Sequence, residues 1–203
     1  MLALAALALS SPAVRAAPVI IVALGDSLTA GTGLEDPDQA FPARLQAALT
    51  GLGIDAVVHN AGVGGDTSAG GLSRLDWSLV DGADLVIVEL GANDALRGLD
   101  PAATHANLDE IVRTLRERGI GVLLAGMLAP PNLGREYGEE FRAVYQRIAA
   151  ERDVTYYPFF LDGVAAEEQF LQRDGMHPNP DGVGVIVERI LPSVQSAIAA
   201  LPE

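Results

Sequence analysis

Val19-Ile20-Ile21-Val22-Ala23-Leu24-Gly25-Asp26-Ser27-Leu28-Thr29 is an unbroken apolar run that empties into a glycine and two small polar residues. Six apolar residues closed by glycine suit a strand buried on both faces, and such strands belong to parallel sheets. Similar short runs stand at 56–58, 85–90, 122–125 and 154–157. Amphipathic stretches alternate with them. In 102–118, Leu108, Ile111, Val112 and Leu115 recur at helical spacing behind Asp100-Pro101, a helix-starting pair, and 139–152 and 183–200 are patterned alike. The alternation predicts an α/β fold: a parallel sheet of about five strands, covered by helices on both faces. In such sheets ligands bind at the carboxyl ends of the strands, so the loop after each run is where chemistry is expected.

Composition narrows that chemistry. The chain has 203 residues, no cysteine, three histidines and 13 basic residues, all arginine. The absence of cysteine excludes disulfide scaffolds, thiolate metal sites and cysteine nucleophiles. With 27 acidic residues the net charge is −14, which argues against nucleic acid as a partner. Length and a hydrophobic content of 49% fit one folded domain. Residues 1–9 are a Leu/Ala run, and Val14-Arg15-Ala16 suits a cut after Ala16, a pattern that resembles a secretory signal peptide. The expectation is a leader at 1–16, a domain at 17–203, and a periplasmic or secreted protein. A retained leader helix and a cytoplasmic location form the alternative. The run is too short to span a bilayer.

The loops carry four suggestive pieces. After the first run comes Gly25-Asp26-Ser27-Leu28-Thr29. Leu28 stands where an aspartyl phosphatase needs a second aspartate, and Thr29 where the G-x-S-x-G elbow needs glycine. A phosphate loop of the Walker type needs a lysine, which the chain lacks. Ser27 is left as a nucleophile or, with Asp26, as a helix cap. The second run leads to His59-Asn60-Ala61-Gly62-Val63-Gly64-Gly65-Asp66-Thr67, whose glycines mark a close backbone approach or a turn with positive φ. The third leads to Gly91-Ala92-Asn93-Asp94, where Asn93 is a cap or an amide donor. Near the C-terminus, Asp174-Gly175-Met176-His177 has the spacing for a carboxylate to orient an imidazole, or for a solvated turn. His105 is expected on a helix surface, and His59 as support for its loop.

In this order the pieces resemble the SGNH (GDSL) hydrolase family, most like the bacterial branch of esterase, thioesterase I and lysophospholipase L1. The matching stretches are Gly25-Asp26-Ser27-Leu28, Asn60-Ala61 with Gly65-Asp66-Thr67-Ser68, Val88-Glu89-Leu90-Gly91 with Asn93-Asp94, Leu96-Arg97-Gly98, Tyr157-Pro158-Phe159-Phe160, and Asp174-Gly175 with His177-Pro178-Asn179. The resemblance implies a three-layer α/β/α fold with a flavodoxin-like sheet. It also implies a triad of Ser27, His177 and Asp174, and an oxyanion hole of the Ser27 and Gly65 N–H groups and the Asn93 amide. Gly64 is a rival to Gly65. Ala92 replaces a glycine common in that branch. Leu96, Arg97 and Gly98, and Met127 and Pro130 of the loop 127–132, would flank the acyl side of the cleft. No metal or organic cofactor is implied. The expected partner is a small ester or thioester, or a micellar lipid, acted on by a monomer that inserts in no membrane. A carbohydrate O-acetylesterase and a catalytically silent envelope-binding protein are the other classes.

Overall fold

The computed structural model describes residues 17–202, so the expected leader at 1–16 lies outside the described residues. The elements follow in order: β1 Val19–Gly25, α1 Ser27–Ala30, α2 Phe41–Gly51, β2 Ala56–Gly62, α3 Ser68–Ser73, α4 Leu75–Ser78, β3 Leu85–Glu89, α5 Ala92–Leu96, α6 Pro101–Glu117, β4 Gly121–Ala125, α7 Arg135–Arg152, β5 Thr155–Tyr157 and α8 Pro180–Ala199. The five strands form one parallel sheet in the order β2-β1-β3-β4-β5, the flavodoxin-like arrangement. Right-handed crossovers on either side of β1 place helices on opposite faces. Accordingly α2 packs with α8, while α6 packs with α3 and α7.

Burial explains which strands the sequence announces most clearly. β3 is buried along its whole length, and β1 at all but one position. The edges are built differently: β2 exposes His59 and Asn60, and β5 has only three residues, as edges resistant to further pairing commonly do. β2 also runs four residues beyond the apolar triplet at 56–58, because its pairing with β1 continues to Gly25 opposite Gly62. In α6 the buried stripe is Thr104, Leu108, Ile111, Val112 and Leu115, with Asp100 accepting from Ala102 N at 2.8 Å as its cap. α8 starts at Pro180, earlier than the apolar spacing suggests, because the Asn179 side chain accepts from the N–H groups of Asp181 and Gly182. His105 is half-buried beside α7, contrary to the expected surface position, since α6 and α7 pack against each other there.

Glycine is obligatory where β3 hands over to α5. Gly91 has φ 115°, and a Cβ there would overlap the Tyr145 hydroxyl, which donates to Leu90 O at 2.9 Å. Gly91→Ala is expected to cost about 2–4 kcal/mol, from backbone strain and overpacking together, read as a lower urea midpoint. Combining it with Tyr145→Phe should destabilise less than the two single losses summed. Strict additivity would show that the hydroxyl is not what the new methyl meets.

Candidate active site

Three adjacent strands, β2, β1 and β3, end at one corner of the sheet, and each delivers a polar group there. β1 stops at Gly25 and α1 begins two residues later. The Asp26 side chain caps it, accepting from Leu28 N at 2.9 Å. Capping and a nucleophile-like placement therefore coexist: Asp26 takes the cap, and Ser27 is the first helical residue, whose N–H has no intrahelical acceptor. After β2, a turn closed by Asp66 N to Val63 O at 3.1 Å carries Gly65 at φ 83°, a position that favours glycine. Gly62 answers the other reading, since a Cβ there would overlap Ala30 N. After β3, α5 presents Asn93. Its amide nitrogen donates to Asp26 Oδ2 and to Asp66 O, each at 2.9 Å. Both amide hydrogens are thus engaged, and an oxyanion would share or displace one of these acceptors.

The fourth group arrives from the far end of the chain. His177 Nε2 lies 2.9 Å from Ser27 Oγ, and His177 Nδ1 lies 2.6 Å from Asp174 Oδ2. Asp174 Oδ1 also accepts from the backbone N–H groups of Met176 and His177, at 2.9 and 3.0 Å. These bonds, that of the His177 ring foremost, hold the exposed Asp174 carboxyl down at about 2. Gln172 ties the turn to the first loop, its amide donating to Thr32 O and Pro178 O, both at 2.9 Å.

Beneath the corner sits a buried acidic layer. Arg74 donates to the Asp66 carboxylate at 2.6 Å and to the carbonyls of Ala61 and Gly25 at 2.8 Å. Asp94 accepts from Ser68 and Thr104. Burial pushes the Asp26 carboxyl up to about 6, against the opposing pull of its Leu28 and Asn93 hydrogen bonds. Burial and the neighbouring Asp26 charge push Glu89 well above the usual carboxylate range. Arg74 has no local signal marking it as part of the site, whereas Thr29 and Glu89 lie inside quoted stretches, Glu89 as the one charged residue of the apolar run 85–90. Their roles come from contacts with residues far away in the chain.

A cavity of about 520 Å³ opens beside Ser27, Asn93 and His177, walled by Leu28, Ala92, Leu96, Met127, Ala129, Pro130, Phe159, Leu161 and Met176 among others. Leu96, Met127 and Pro130 stand on this wall. Arg97 does not: its guanidinium donates to Gly65 O at 2.8 Å. Gly98 is not part of the wall either. Among the described residues no cluster of His, Asp and Glu could hold a metal ion.

The family model of the GDSL-like lipase/acylhydrolase family matches residues 23–185. Esterase TesA of Pseudomonas aeruginosa is 41% identical over 182 residues, covering 89% of this chain and 90% of the relative. Thioesterase 1/protease 1/lysophospholipase L1 of Escherichia coli K12 is 37% identical over 184 residues, covering 90% and 86%. The crystal structure of AlinE4, an SGNH-hydrolase family esterase, superposes with a TM-score of 0.76 at 44% identity, covering 94% of this chain and all of that one.

Asp26 gives the site a pH signature. Its folded value of about 6 lies above the ordinary 3.8, so the fold favours the neutral form. The stability this contributes is complete below the ordinary value and is lost as pH rises through about 6. Acidification from about pH 8 to about pH 5 should therefore raise the melting temperature, by the equivalent of roughly 1–1.5 kcal/mol from this group. Asp26→Asn should flatten the slope. An unchanged slope in that variant would exclude Asp26 as its source.

Proposed function

The chain belongs to the GDSL-like lipase/acylhydrolase family, and on that premise we propose that it is a serine esterase working through Ser27, His177 and Asp174. One observation carries the reading: the chain of hydrogen bonds from Ser27 Oγ through the His177 ring to Asp174, set at the mouth of an apolar cavity. Asp174 accepts a hydrogen bond from Nδ1–H, which keeps the proton on Nδ1 and leaves Nε2 free to act as a base. Ser27 Oγ attacks the ester carbonyl as its proton passes to Nε2, and the carbonyl oxygen becomes an oxyanion. That oxyanion accepts from the N–H groups of Ser27 and Gly65 and from the Asn93 amide. Collapse breaks the bond to the leaving alkoxide, which takes the proton from Nε2, and leaves an acyl group on Ser27. Water repeats the sequence and frees the acid.

The cavity supports an aliphatic or aryl acyl group, its wall being aliphatic and aromatic side chains with no cationic group. That favours acyl hydrolysis over removal of acetyl from a sugar, for which a small polar cleft would serve. Thioesters and lysophospholipids are chemically accessible to the same groups.

Ser27→Ala should leave the melting temperature near that of the parent and lower kcat on p-nitrophenyl esters by up to about 10⁶-fold. Asp174→Asn should lower it by roughly 10⁴-fold through the wrong tautomer. Retained turnover in purified Ser27→Ala protein would overturn the assignment. Along a series of acyl lengths, kcat/KM should climb by about fourfold per methylene, the worth of about 0.8 kcal/mol, until the cavity is filled. A maximum at acetyl would return the carbohydrate reading.

A further inference from the structure

Glu89 ends β3 with its carboxyl fully buried, in register beside Gly25. Its Oε2 is 2.6 Å from Thr29 Oγ1 and 3.4 Å from Asp26 N. Its Oε1 is buried and has no hydrogen-bond partner among the described residues. An ionised carboxylate removed from water needs several donors, and one left unfilled is costly. A carboxylic acid needs an acceptor for its proton, which Thr29 Oγ1 at 2.6 Å can be once its own hydrogen turns away, and tolerates a poorly satisfied carbonyl oxygen far better. Asp26 is the opposite case, with a donor at 2.9 Å on each oxygen, Leu28 N and Asn93 Nδ2. The other titratable groups facing the pair each have a partner or a place of their own. Asp66 is ion-paired to Arg74, Asp94 is held by hydroxyls, Tyr145 is a buried phenol raised well above its ordinary value, and His177 stands across Ser27.

We infer that Glu89 is a positioning residue for the proposed esterase: a neutral carboxylic acid that ties Thr29 of α1 to the end of β3 and leaves the negative charge of the pair on Asp26. The inference rests on the esterase reading above for its kinetic consequence. Two site groups are referenced to this carboxyl. Ser27 lies on the same short helix as Thr29, and Asn93 follows Glu89 by four residues. Neutrality also keeps a second negative charge from beneath the place where an oxyanion forms, where it would oppose that charge. The glycine of Gly25-Asp26-Ser27-Leu28 is explained by the same contact, since a Cβ at Gly25 would overlap both Thr29 Oγ1 and Glu89 Oε2.

The test compares Glu89→Gln, Glu89→Ala and Thr29→Val with the parent enzyme. At mildly alkaline pH, the infrared spectrum of the parent should contain a protonated-carboxyl C=O band that Glu89→Gln removes and Ser27→Ala keeps. Glu89→Gln, neutral and able to donate to Thr29, should hold kcat within about threefold with an unmoved pH profile, whereas Glu89→Ala should lose about ten- to a hundredfold in kcat with KM little changed. Should Glu89→Ala fail to fold, Thr29→Val should lower kcat by about tenfold while keeping the band at a shifted frequency. A band that survives Glu89→Gln, or a Glu89→Gln enzyme as impaired as Glu89→Ala, would overturn the inference. The infrared readout stands without any turnover, so failure of the esterase reading would be seen separately, as an inactive parent whose band still answers to Glu89→Gln.

Discussion

Pairing of Gly25 with Glu89 across β1 and β3 is the constraint from which the site is built outward. The missing Cβ on one strand makes room for the carboxyl of the other and for Thr29 above it. α1 can therefore begin directly over the sheet, with Ser27 on its first turn and Asn93 facing it from α5. Arg74 completes the frame. One guanidinium holds the Gly25 carbonyl at the end of β1, the Ala61 carbonyl near the end of β2, and the Asp66 carboxylate beyond the glycine turn. Donors fixed this way cost little reorganisation when charge develops near them, which is where most electrostatic assistance in acyl transfer originates.

Electrostatically the site has two unlike halves. On the sheet side, Asp26, Glu89 and Asp94 are buried, and burial raises Asp26 and Glu89. On the other side, Asp174 is exposed and kept ionised by the histidine ring and two backbone N–H groups. The partner of the imidazole thus escapes the desolvation that a buried carboxylate would suffer. The polar corner meets an apolar cavity directly, with Ser27, Asn93 and His177 all on its lining.

Reading the chain alone reaches some of this and not the rest, for reasons that are physical. β1, β3 and β4 are legible because burial on both faces demands continuous apolar residues. α6 is legible because its stripe is long enough to show a period. α3, α4 and α5, of six residues or fewer, are too short for periodicity to register. The first turn of α8 is set by a capping asparagine and a proline, not by apolar spacing. In the site, Ser27, Asn93, Asp174 and His177 stand out because they fall, in order, in stretches that match the family, two after strands and two in the loop before α8. Arg74 is silent because nothing local marks it, and Glu89 and Thr29, though inside quoted stretches, give no sign of each other. Thr29 meets Glu89 across 60 residues, and Arg74 meets Gly25 across 49. Arg97 misleads for a related cause: its neighbours in sequence line the cavity, while its own side chain turns to the Gly65 carbonyl.

Gln172 clasps the turn bearing His177 to the loop that follows Ser27, joining positions 140 residues apart. The donors at the sheet corner come from the first half of the chain, whereas the histidine and the helix that seats it come from the last 30 residues. On the proposed mechanism, a growing polypeptide therefore carries its oxyanion donors long before it carries its base. Such a chain would be chemically inert while still being made, and would acquire its reactivity only on closing head to tail.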